Sequence, residues 1–500
     1  MSLLRDRPAV LLAVAVWAVC CMLPSAALAD SWQEIRALKD QPDSLQNRVD
    51  DLSARADATR QATVGPSLAA PSTAVARTPA VDGTAGLSWA GITVYGTVDA
   101  GLAYLNHGAP FSDTYGPGLP FLLQKFSNHA TVSAASNGLS QSSLGISGFE
   151  PISGDLFAVF KVETGFSPVS GRLTDGPASL VKDNGKPLTA QTDSGDSSRA
   201  GQALNGPAYA GLGSHTFGTV TVGRQNNLMA DALTKYDPQQ QSPAFSPLGY
   251  SGTSGGMGDT EDKLLDATAK YSGTWGPVHL AVLHQFGKQG SIPAPSTQAD
   301  VGAAFGKLSV DLLWSQIDDA VNLTSLNATQ AGTLPAGTLA GTVSNNSAWS
   351  VQASYDFQPV KFYSGWERIH YGNPDQPVAA GIETIGGYVV SVVNNTAYTI
   401  NRIFIIDWLG ARYSITSKLQ LTGAYYQYHQ DSFAKTVCSA SSSNSCSGNE
   451  YDVSAVADYH FTKRFDTYLG LNWSEVQNGL SAGYLYKSDW APMLGGRYRF

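Results

Sequence analysis

Apolar and polar residues alternate along most of the chain after residue 86. In the stretch GITVYGTVDAGLAY, one parity holds Ile92, Val94 and Val98, and the other holds Tyr95 and Asp99. Successive residues of a β-strand point to opposite faces, so this alternation predicts strands with one apolar and one polar face. The same pattern recurs in GTVTVGRQ, in KLSVDLLWSQ and between residues 451 and 474. The chain from residue 87 onward is therefore predicted to be mainly β-structure.

The predicted strands are long. Each runs for about ten residues, which matches the roughly 9 to 11 tilted residues that cross a bilayer, whereas strands of globular proteins have about five or six. Many carry aromatic residues near their ends on the apolar parity, as transmembrane barrels do at the membrane interfaces. A soluble sandwich or propeller would bury the apolar face and have shorter strands. The pattern thus favours strands that cross a membrane.

The predicted connections alternate between short and long. The short ones include SHTFG and GTWGP, and the long ones, rich in Gly, Ser, Asn and Pro, cover residues 167–199, 226–264, 319–347 and 372–400. Outer-membrane barrels have short periplasmic turns and long extracellular loops. About sixteen strands fit between residues 87 and 500, and bacterial single-chain barrels have even strand numbers. We therefore predict an all-β fold, a sixteen-stranded antiparallel transmembrane β-barrel over residues 87–500, with an aqueous lumen.

The beginning of the chain has the pattern of an export signal. Arg5 and Arg7 precede an apolar stretch, and Ala27-Leu28-Ala29 supplies a small-x-small cleavage pattern. Residues 1–29 are therefore predicted to be a signal peptide. The alternative is a membrane anchor, but a membrane-spanning helix needs about 20 apolar residues, more than this stretch offers.

Residues 30–63 have a helical period instead. Leu45, Val49 and Leu52 follow the 3-4 spacing of a heptad, with charged residues between them. This pattern predicts a short periplasmic helical segment. A lone helix of this length is marginal in water, so the segment either forms a coiled coil with other copies or stays a frayed helix. Residues 64–86 are rich in Pro and Ala and are predicted to be a linker.

Composition and charge narrow the classes of function. Only 14% of the residues are charged and the net charge is -9, whereas soluble domains have about 25% charged residues. The sequence has no clusters of the Lys and Arg that phosphate binding needs, so no nucleic-acid partner is expected. After residue 29 no apolar run reaches the roughly 20 residues of a membrane helix. A helical transporter is thereby excluded.

The cysteines indicate one disulfide. Cys20 and Cys21 lie in the predicted signal peptide, which leaves Cys438 and Cys446 in the Ser-rich stretch CSASSSNSC. Disulfides persist in exported proteins. We therefore expect Cys438 and Cys446 to be bonded to each other in a loop.

The sequence offers no clear catalytic or cofactor motif. The Gly-rich stretch GYSGTSGGMG lacks the Lys-Ser/Thr of a phosphate-binding loop. His279 and His284 are five residues apart on a predicted strand, so they point to opposite faces and do not form a shared metal site. We expect no enzyme activity, no cofactor and no metal.

Five stretches carry a family resemblance. They are ITVYGTVDAGLAY, LGISGFEPISGDLFAVFKVETGF, FGTVTVGRQ, LGARYSITSKLQLTGAYYQY and LGGRYRF. In their order and spacing they resemble the general porins of Gram-negative bacteria, of the Neisseria and Burkholderia type. The resemblance implies a homotrimer of sixteen-stranded barrels in outer-membrane lipid, a water-filled channel for passive diffusion of small hydrophilic solutes and ions.

The resemblance also implies roles for particular segments. The third long loop is expected to fold into the pore as a constriction. Tyr498 and Phe500 are expected to form the terminal signal for the barrel-assembly machinery. Ser143 departs from the pattern, because it stands where the family commonly has a lumen arginine. The helical segment at 30–63 lies outside the usual pattern and is a candidate for contact with peptidoglycan or another periplasmic partner.

Charged residues are the candidates for the pore lining. The acidic residues of the third loop, assigned to the constriction, are Asp231, Asp237, Asp259, Glu261 and Asp262. The residues assigned to the pore wall are Lys161, Glu163, Lys270, Glu367 and Arg412. Each could instead be a solvated lumen residue with little effect on conductance. Rings of one charge sign bias ion selectivity, and the loop region is net acidic, so a weak cation preference is predicted.

Two alternative functions stay open at this point. One is a substrate-selective channel, for sugars or organic anions, on the same barrel. It would need inward-facing aromatic residues, and Tyr363, Tyr426 and Tyr428 are possible members of such a track. The other, less favoured, is a secreted β-rich adhesin.

Overall fold

The computed structural model describes residues 87–114, 123–192, 198–249, 258–260, 262–287 and 295–500. The signal peptide, helical segment and linker predicted for residues 1–29, 30–63 and 64–86 lie outside the described residues, and so does Glu261. Among the described residues, no helix is both long enough and apolar enough to cross a membrane.

The described residues form twenty strands and three α-helices. The strands of the first half are β1 (Leu87–Trp89), β2 (Ile92–Gly108), β3 (His129–Ser136), β4 (Ser143–Ser153), β5 (Leu156–Gly165), β6 (Ala208–Ser214), β7 (Gly218–Asn226), β8 (Leu264–Trp275), β9 (Val278–Gln285) and β10 (Ser296–Phe305). Those of the second half are β11 (Leu308–Thr324), β12 (Thr338–Phe357), β13 (Val360–Gly372), β14 (Ile382–Glu383), β15 (Val389–Asn394), β16 (Arg402–Ser414), β17 (Leu419–Gln430), β18 (Gly448–His460), β19 (Phe465–Asn478) and β20 (Ser488–Arg499). The helices are α1 (Gly176–Lys182), α2 (Leu228–Tyr236) and α3 (Ala328–Thr333).

The strands close into a barrel of sixteen antiparallel strands, which confirms the predicted fold. Both β3 and β4 pair with β2, so together they form one barrel strand that is interrupted at residues 137–142. Strands β1, β14 and β15 are additional short pieces. The barrel closes where β2 pairs with β20, from Thr97↔Arg499 to Ala103↔Met493. Closure leaves the main sheet without an open edge, and strands inside a bilayer require this.

The two faces of each strand differ as the alternation predicts. On β2, the outward Leu102 is 60% exposed, whereas its neighbours Asp99 and Ala103 are buried. On β20, Leu494 and Tyr498 are exposed on the outside while Arg497 bonds to Asp466 inside the barrel. Aromatic residues exposed near the short turns include Trp89, Phe217, Trp275, Phe305, Phe357, Phe362, Tyr459, Phe461 and Tyr498. Such a belt is typical of a membrane interface.

The structure corrects the bounds of one long connection and shows short strands within another. Residues 319–347 are predicted as a loop, but β11 extends to Thr324 and β12 begins at Thr338, with register partners from Ala320↔Ser344 to Thr324↔Ala340. These extensions consist largely of Ser, Thr, Asn and Gly, without the apolar alternation that marks a lipid-facing strand. Within predicted loop 372–400, β15 pairs in parallel with the start of β12.

Candidate channel and constriction loop

The connection between β7 and β8 spans residues 227–263, and we call it the constriction loop. Its described residues, 227–249, 258–260 and 262–263, lie inside the barrel. It begins with α2, whose N-terminus is capped because the Ala230 amide donates to Asn227 Oδ1 at 2.7 Å. One face of α2 is fully buried, with Met229, Leu233 and Tyr236 at 0% exposure. Apolar side chains of this helix and of the barrel wall form one buried cluster. The loop is therefore packed onto the wall along this helix.

Polar contacts fix α2 against successive inward-facing wall residues. The Leu228 amide donates to Gln298 Oε1 at 2.8 Å. The Tyr236 hydroxyl donates to Asp311 Oδ1 at 2.6 Å, and Trp408 Nε1 donates to the Tyr236 carbonyl at 3.2 Å. These partners belong to β10, β11 and β16, and they share the parity opposite to the lipid-exposed residues of those strands.

Asp237 follows α2 and is fully buried. Its carboxylate accepts hydrogen bonds from the Gln239 amide at 3.1 Å, the Gln241 amide at 2.7 Å and the Tyr426 hydroxyl at 2.6 Å. Burial raises the pKa of Asp237, and these hydrogen bonds oppose the rise. Asp237 thus joins the turn that follows α2 to the barrel wall, and its carboxylate does not line the aqueous space.

The far part of the loop docks on an inward turn of the wall. Residues 137–142, between β3 and β4, carry Gly138, whose carbonyl accepts bonds from Ser242 Oγ at 2.8 Å and from the Ala244 amide at 3.0 Å. The carboxylate of Asp99 holds this turn in place, since it accepts bonds from the amides of Leu139 and Ser140. The loop therefore passes the inner faces of β10 to β19 before it reaches β3.

The loop returns to β8 past Asp259, which is also buried. Its Oδ1 accepts a hydrogen bond from Gln298 Nε2 at 3.2 Å and its Oδ2 one from Ser296 Oγ at 3.3 Å. The Asp259 amide donates to Ser315 Oγ at 3.1 Å. Burial raises the pKa of the Asp259 carboxyl to about 7, because these neutral partners offset only part of the lost hydration.

Two pairs of opposite charge face the part of the lumen near β5 and β8. Lys161 Nζ lies 3.4 Å from Glu163 Oε2, which also accepts a hydrogen bond from the Tyr95 hydroxyl at 3.0 Å. Lys270 Nζ pairs with Asp231 of α2. All four charged side chains retain solvent exposure, from 14% at Lys270 to 43% at Asp231. The second pair joins the constriction loop to the wall.

The remaining predicted pore residues are placed differently. Glu367 is fully buried on the inner face of β13. Arg412 donates from Nη2 to the Pro238 carbonyl at 2.7 Å and so supports the loop. Asp262 is half-buried, and its amide donates to Thr260 Oγ1. Of the acidic residues assigned to the constriction from sequence, Asp231 is the most exposed of those described, whereas Asp237 and Asp259 are buried.

The aromatic residues considered for a substrate track are buried. Tyr363, Tyr426 and Tyr428 are at most 4% exposed. Tyr426 bonds to Asp237 of the constriction loop, and both Tyr426 and Tyr428 belong to the apolar cluster behind α2. These rings therefore support the loop and offer little surface to a solute.

The residues at the end of β20 and the cysteine pair are also placed. The amide of Phe500 donates to the Gly96 carbonyl at 3.0 Å, and the Gly96 amide donates back to the Phe500 carbonyl at 2.9 Å. The Phe500 ring lies near the Tyr498 ring on the outside, with centroids 6.3 Å apart.

Cys438 and Cys446 form the predicted disulfide, with Cα atoms 4.8 Å apart.

Sequence reasoning missed the inward turn that receives the loop. The dipeptide Asn137-Gly138 is a turn signal, and Asn137 adopts the left-handed region at φ 64°. It also missed Asp99 and Asp311 as supports of the turn and of α2. The alternation along their strands indicates that both side chains face inward, but the residues they contact lie far away in the sequence.

Comparison with known proteins places this barrel in a family. A family model described as Gram-negative porin matches residues 62–479. The anion-selective porin from Comamonas acidovorans is 17% identical, with a TM-score of 0.54 over 82% of this chain and 99% of that chain. Outer-membrane expressed OmpT of Vibrio cholerae is 14% identical, with a TM-score of 0.50 over 83% of this chain and 99% of that chain. No curated protein matches the chain.

The family match covers most of the chain, and the solved structures share its closed barrel. The narrower resemblance to the Neisseria and Burkholderia type stays a prediction, and the adhesin alternative is not supported. With a loop packed inside a sixteen-stranded barrel, the chain belongs to the Gram-negative porins and is an outer-membrane channel for passive diffusion.

Proposed function

We propose that this porin is a weakly ion-selective channel for small hydrophilic solutes. The solutes pass the constriction loop beside two ion pairs, each of one basic and one acidic residue. The observation that carries the proposal is the pairing itself, Lys161 with Glu163 and Lys270 with Asp231. Paired charges leave little net charge to favour one ion sign, although they impose a local field across the path. Such pairs in contact with water contribute modestly and are screened by salt.

This proposal revises the cation preference expected from the sequence. That expectation counts Asp237 and Asp259 as constriction charges, but both are buried and have raised pKa values. Asp231 is ion-paired with Lys270. The acidic character of the loop therefore contributes less to the aqueous surface than its composition suggests.

The zero-current potential across a KCl gradient tests the proposal. The unmodified channel should give a small potential. Lys270→Gln should shift it toward cation preference and Asp231→Asn toward anion preference, because each leaves one partner uncompensated. Lys463→Gln, at an exposed short turn, is the matched control and should leave the potential unchanged. A strongly selective unmodified channel, or equal shifts from Lys270→Gln and the control, would contradict the proposal.

We also infer a homotrimer that is inserted by the barrel-assembly machinery, with residues 30–63 as a periplasmic helix that contacts peptidoglycan or pairs with its copies. The support is the family resemblance together with the heptad spacing of Leu45, Val49 and Leu52. Deleting residues 31–63 should leave single-channel conductance unchanged, because the heptad segment precedes the barrel. A changed conductance would place the segment at the pore.

A further inference from the structure

Three neighbouring strands bring together a histidine and two aspartates at the base of the constriction loop. His279 on β9, Gly302 on β10 and Asp311 on β11 are register partners in one row across the sheet. Asp300 lies two residues from Gly302 on the same face of β10. Gly302 has no side chain, and a Cβ atom there would overlap Asp311 Oδ1 and His279 Cε1. The glycine therefore allows the two flanking side chains to meet over β10.

The distances fit a metal ion held between these groups. His279 Nε2 lies 3.2 Å from Asp311 Oδ2 and 3.7 Å from Asp300 Oδ2, and the three ligand atoms lie within 4.8 Å of one another. Four ligands at zinc's usual bond lengths of about 2.0 to 2.1 Å in a tetrahedron are roughly 3.3 Å apart. A small inward movement of Asp300 would complete three corners of that arrangement.

A second observation points to a cation at this site. Asp300 is only 8% exposed, and its Oδ1 has no hydrogen-bond partner in the structure. Asp311 is also buried, so two carboxylates share a confined space. A buried carboxylate oxygen without a partner is costly, because the lost hydration is not replaced. A cation between the two carboxylates would replace it.

We propose that His279, Asp300 and Asp311 bind a divalent transition-metal ion, with water in the fourth position. One imidazole nitrogen and two carboxylate oxygens form a ligand set that suits Zn²⁺. The three ligands are 21 and 11 residues apart along the chain, so no local spacing motif reveals them. Only the register of β9, β10 and β11 brings them together.

The site is coupled to the constriction loop through Lys235 and Tyr236 of α2. Lys235 Nζ lies 3.2 Å and 3.3 Å from the two oxygens of Asp311. Tyr236 donates its hydroxyl proton to Asp311 Oδ1 at 2.6 Å. A bound metal ion would replace Lys235 as the cationic partner of Asp311, and Tyr236 would keep its hydrogen bond. Lys235 thus competes with the metal.

A second group in the same barrel serves as a matched control. His460 also lies between two aspartates, with Nε2 3.5 Å from Asp458 Oδ2 and Nδ1 3.4 Å from Asp466 Oδ2. There, however, the guanidinium groups of Arg497 and Arg499 each lie 2.8 Å from Asp466 Oδ2. Two cations already compensate these carboxylates, so this group should not bind a metal.

The experiment begins with the purified, tag-free oligomer, from which a chelator has removed bound metal. Zn²⁺ is then titrated into it in an isothermal calorimeter. One Zn²⁺ per chain should bind. His279→Ala should weaken the affinity on the order of 100-fold, because even residues that only orient a ligand are worth about 10- to 100-fold. His460→Ala should have no effect. Lys235→Met should tighten binding by about tenfold or more, because it removes a unit charge a few Å from the site.

Gly302→Ala separates metal geometry from charge. It keeps every ligand and every charge, yet its Cβ displaces His279 and Asp311, so Zn²⁺ binding should fall as it does in His279→Ala. If this variant does not assemble into a heat-modifiable oligomer, His279→Ala and Asp300→Asn decide the question. Absence of saturable Zn²⁺ binding, or equal losses in His279→Ala and His460→Ala, would overturn the proposal.

Discussion

Asp259 shows how a single carboxyl can make the docking of the constriction loop depend on pH. It is buried among Ser296, Gln298 and Ser315, which are all neutral. Burial raises its pKa to about 7, whereas an aspartate in water titrates near 4. Between about pH 4 and pH 7, Asp259 is therefore protonated in the docked loop and ionised in the undocked loop.

The sign of the pH effect follows from this difference. For an acid with a raised pKa, the stabilisation of the docked state is fully present below about pH 4 and is lost as the pH rises toward about 7. Loop docking should therefore be weaker at pH 8 than at pH 4, by up to about 4 kcal/mol for a shift of some three pH units. Hydrogen exchange of the α2 amides at the two pH values, corrected for the intrinsic exchange rate, measures this.

Asp259→Asn should reduce that pH dependence, because an amide can keep the hydrogen bonds without a titratable proton. The remainder belongs to Asp237, whose pKa burial also raises. Asp262→Asn, at the half-buried neighbouring position, is the control and should leave it in place. If Asp259→Asn keeps the full pH dependence of α2 exchange, Asp259 is not the responsible group.

At the level of single residues, the sequence predicts which parity faces the lumen, but it does not predict which of those side chains remain exposed to water. Alternation places Asp99 and the Arg497 side chain inside the barrel, and the structure agrees. Asp237 and Asp259 are acidic residues in a Gly-rich loop, where hydration is the ordinary expectation. Their burial depends on Tyr426 and Gln298, which are remote in sequence.

The constriction loop is the element on which the channel depends, and one aromatic residue fastens its far part. Phe245 is fully buried and lies edge-on to the ring of Tyr468, with centroids 6.2 Å apart. Its ring also occupies the space over Gly470, where a Cβ would collide with it. Phe245 is thus held by the inner face of β19.

Phe245→Ala should loosen the loop. Removing a buried Phe side chain costs about 3 to 5 kcal/mol where the site cannot collapse. In this protein that loss weakens the docking of the constriction loop on β19. The expected result is a noisier open-channel current than in the unmodified protein. Phe217→Ala makes the same chemical change at a turn where the side chain is 74% exposed, and it should leave the noise unchanged. Identical noise in all three proteins would show that Phe245 does not anchor the loop.

For whole elements, prediction succeeds where the lipid imposes a pattern and fails elsewhere. The membrane-crossing strands alternate because one face meets lipid, and their number and order are confirmed. The added parts of β11 and β12 pack against α1 and β15, where Leu323 and Leu339 are buried beside Leu180 and Val390. They therefore lack a lipid-facing alternation, and their sequence resembles that of a loop. The path of the constriction loop is set by contacts with many strands of the wall, from β8 to β19, and local sequence contains none of that information.

The barrel as a whole depends on the closing seam between β2 and β20. Two backbone hydrogen bonds join Phe500 to Gly96 at the end of this seam, and the Phe500 ring covers Gly96. Deleting Phe500 should therefore lower the amount of protein in the outer membrane and the temperature at which the proposed homotrimer dissociates in SDS. Phe465→Leu, on the outer face of β19, is a control that keeps the seam. Undiminished levels after the deletion would remove Phe500 from the assembly role.

The most direct test of the account is the single-channel conductance of the purified protein in planar bilayers, measured as the KCl concentration is varied. A water-filled passive channel with paired constriction charges should give discrete steps whose conductance rises in proportion to the bulk conductivity of the solution. Conductance that saturates at low salt would indicate a binding site in the path instead of an aqueous pore. Insertion without any conducting steps would contradict the central claim that the lumen beside the constriction loop is open to water.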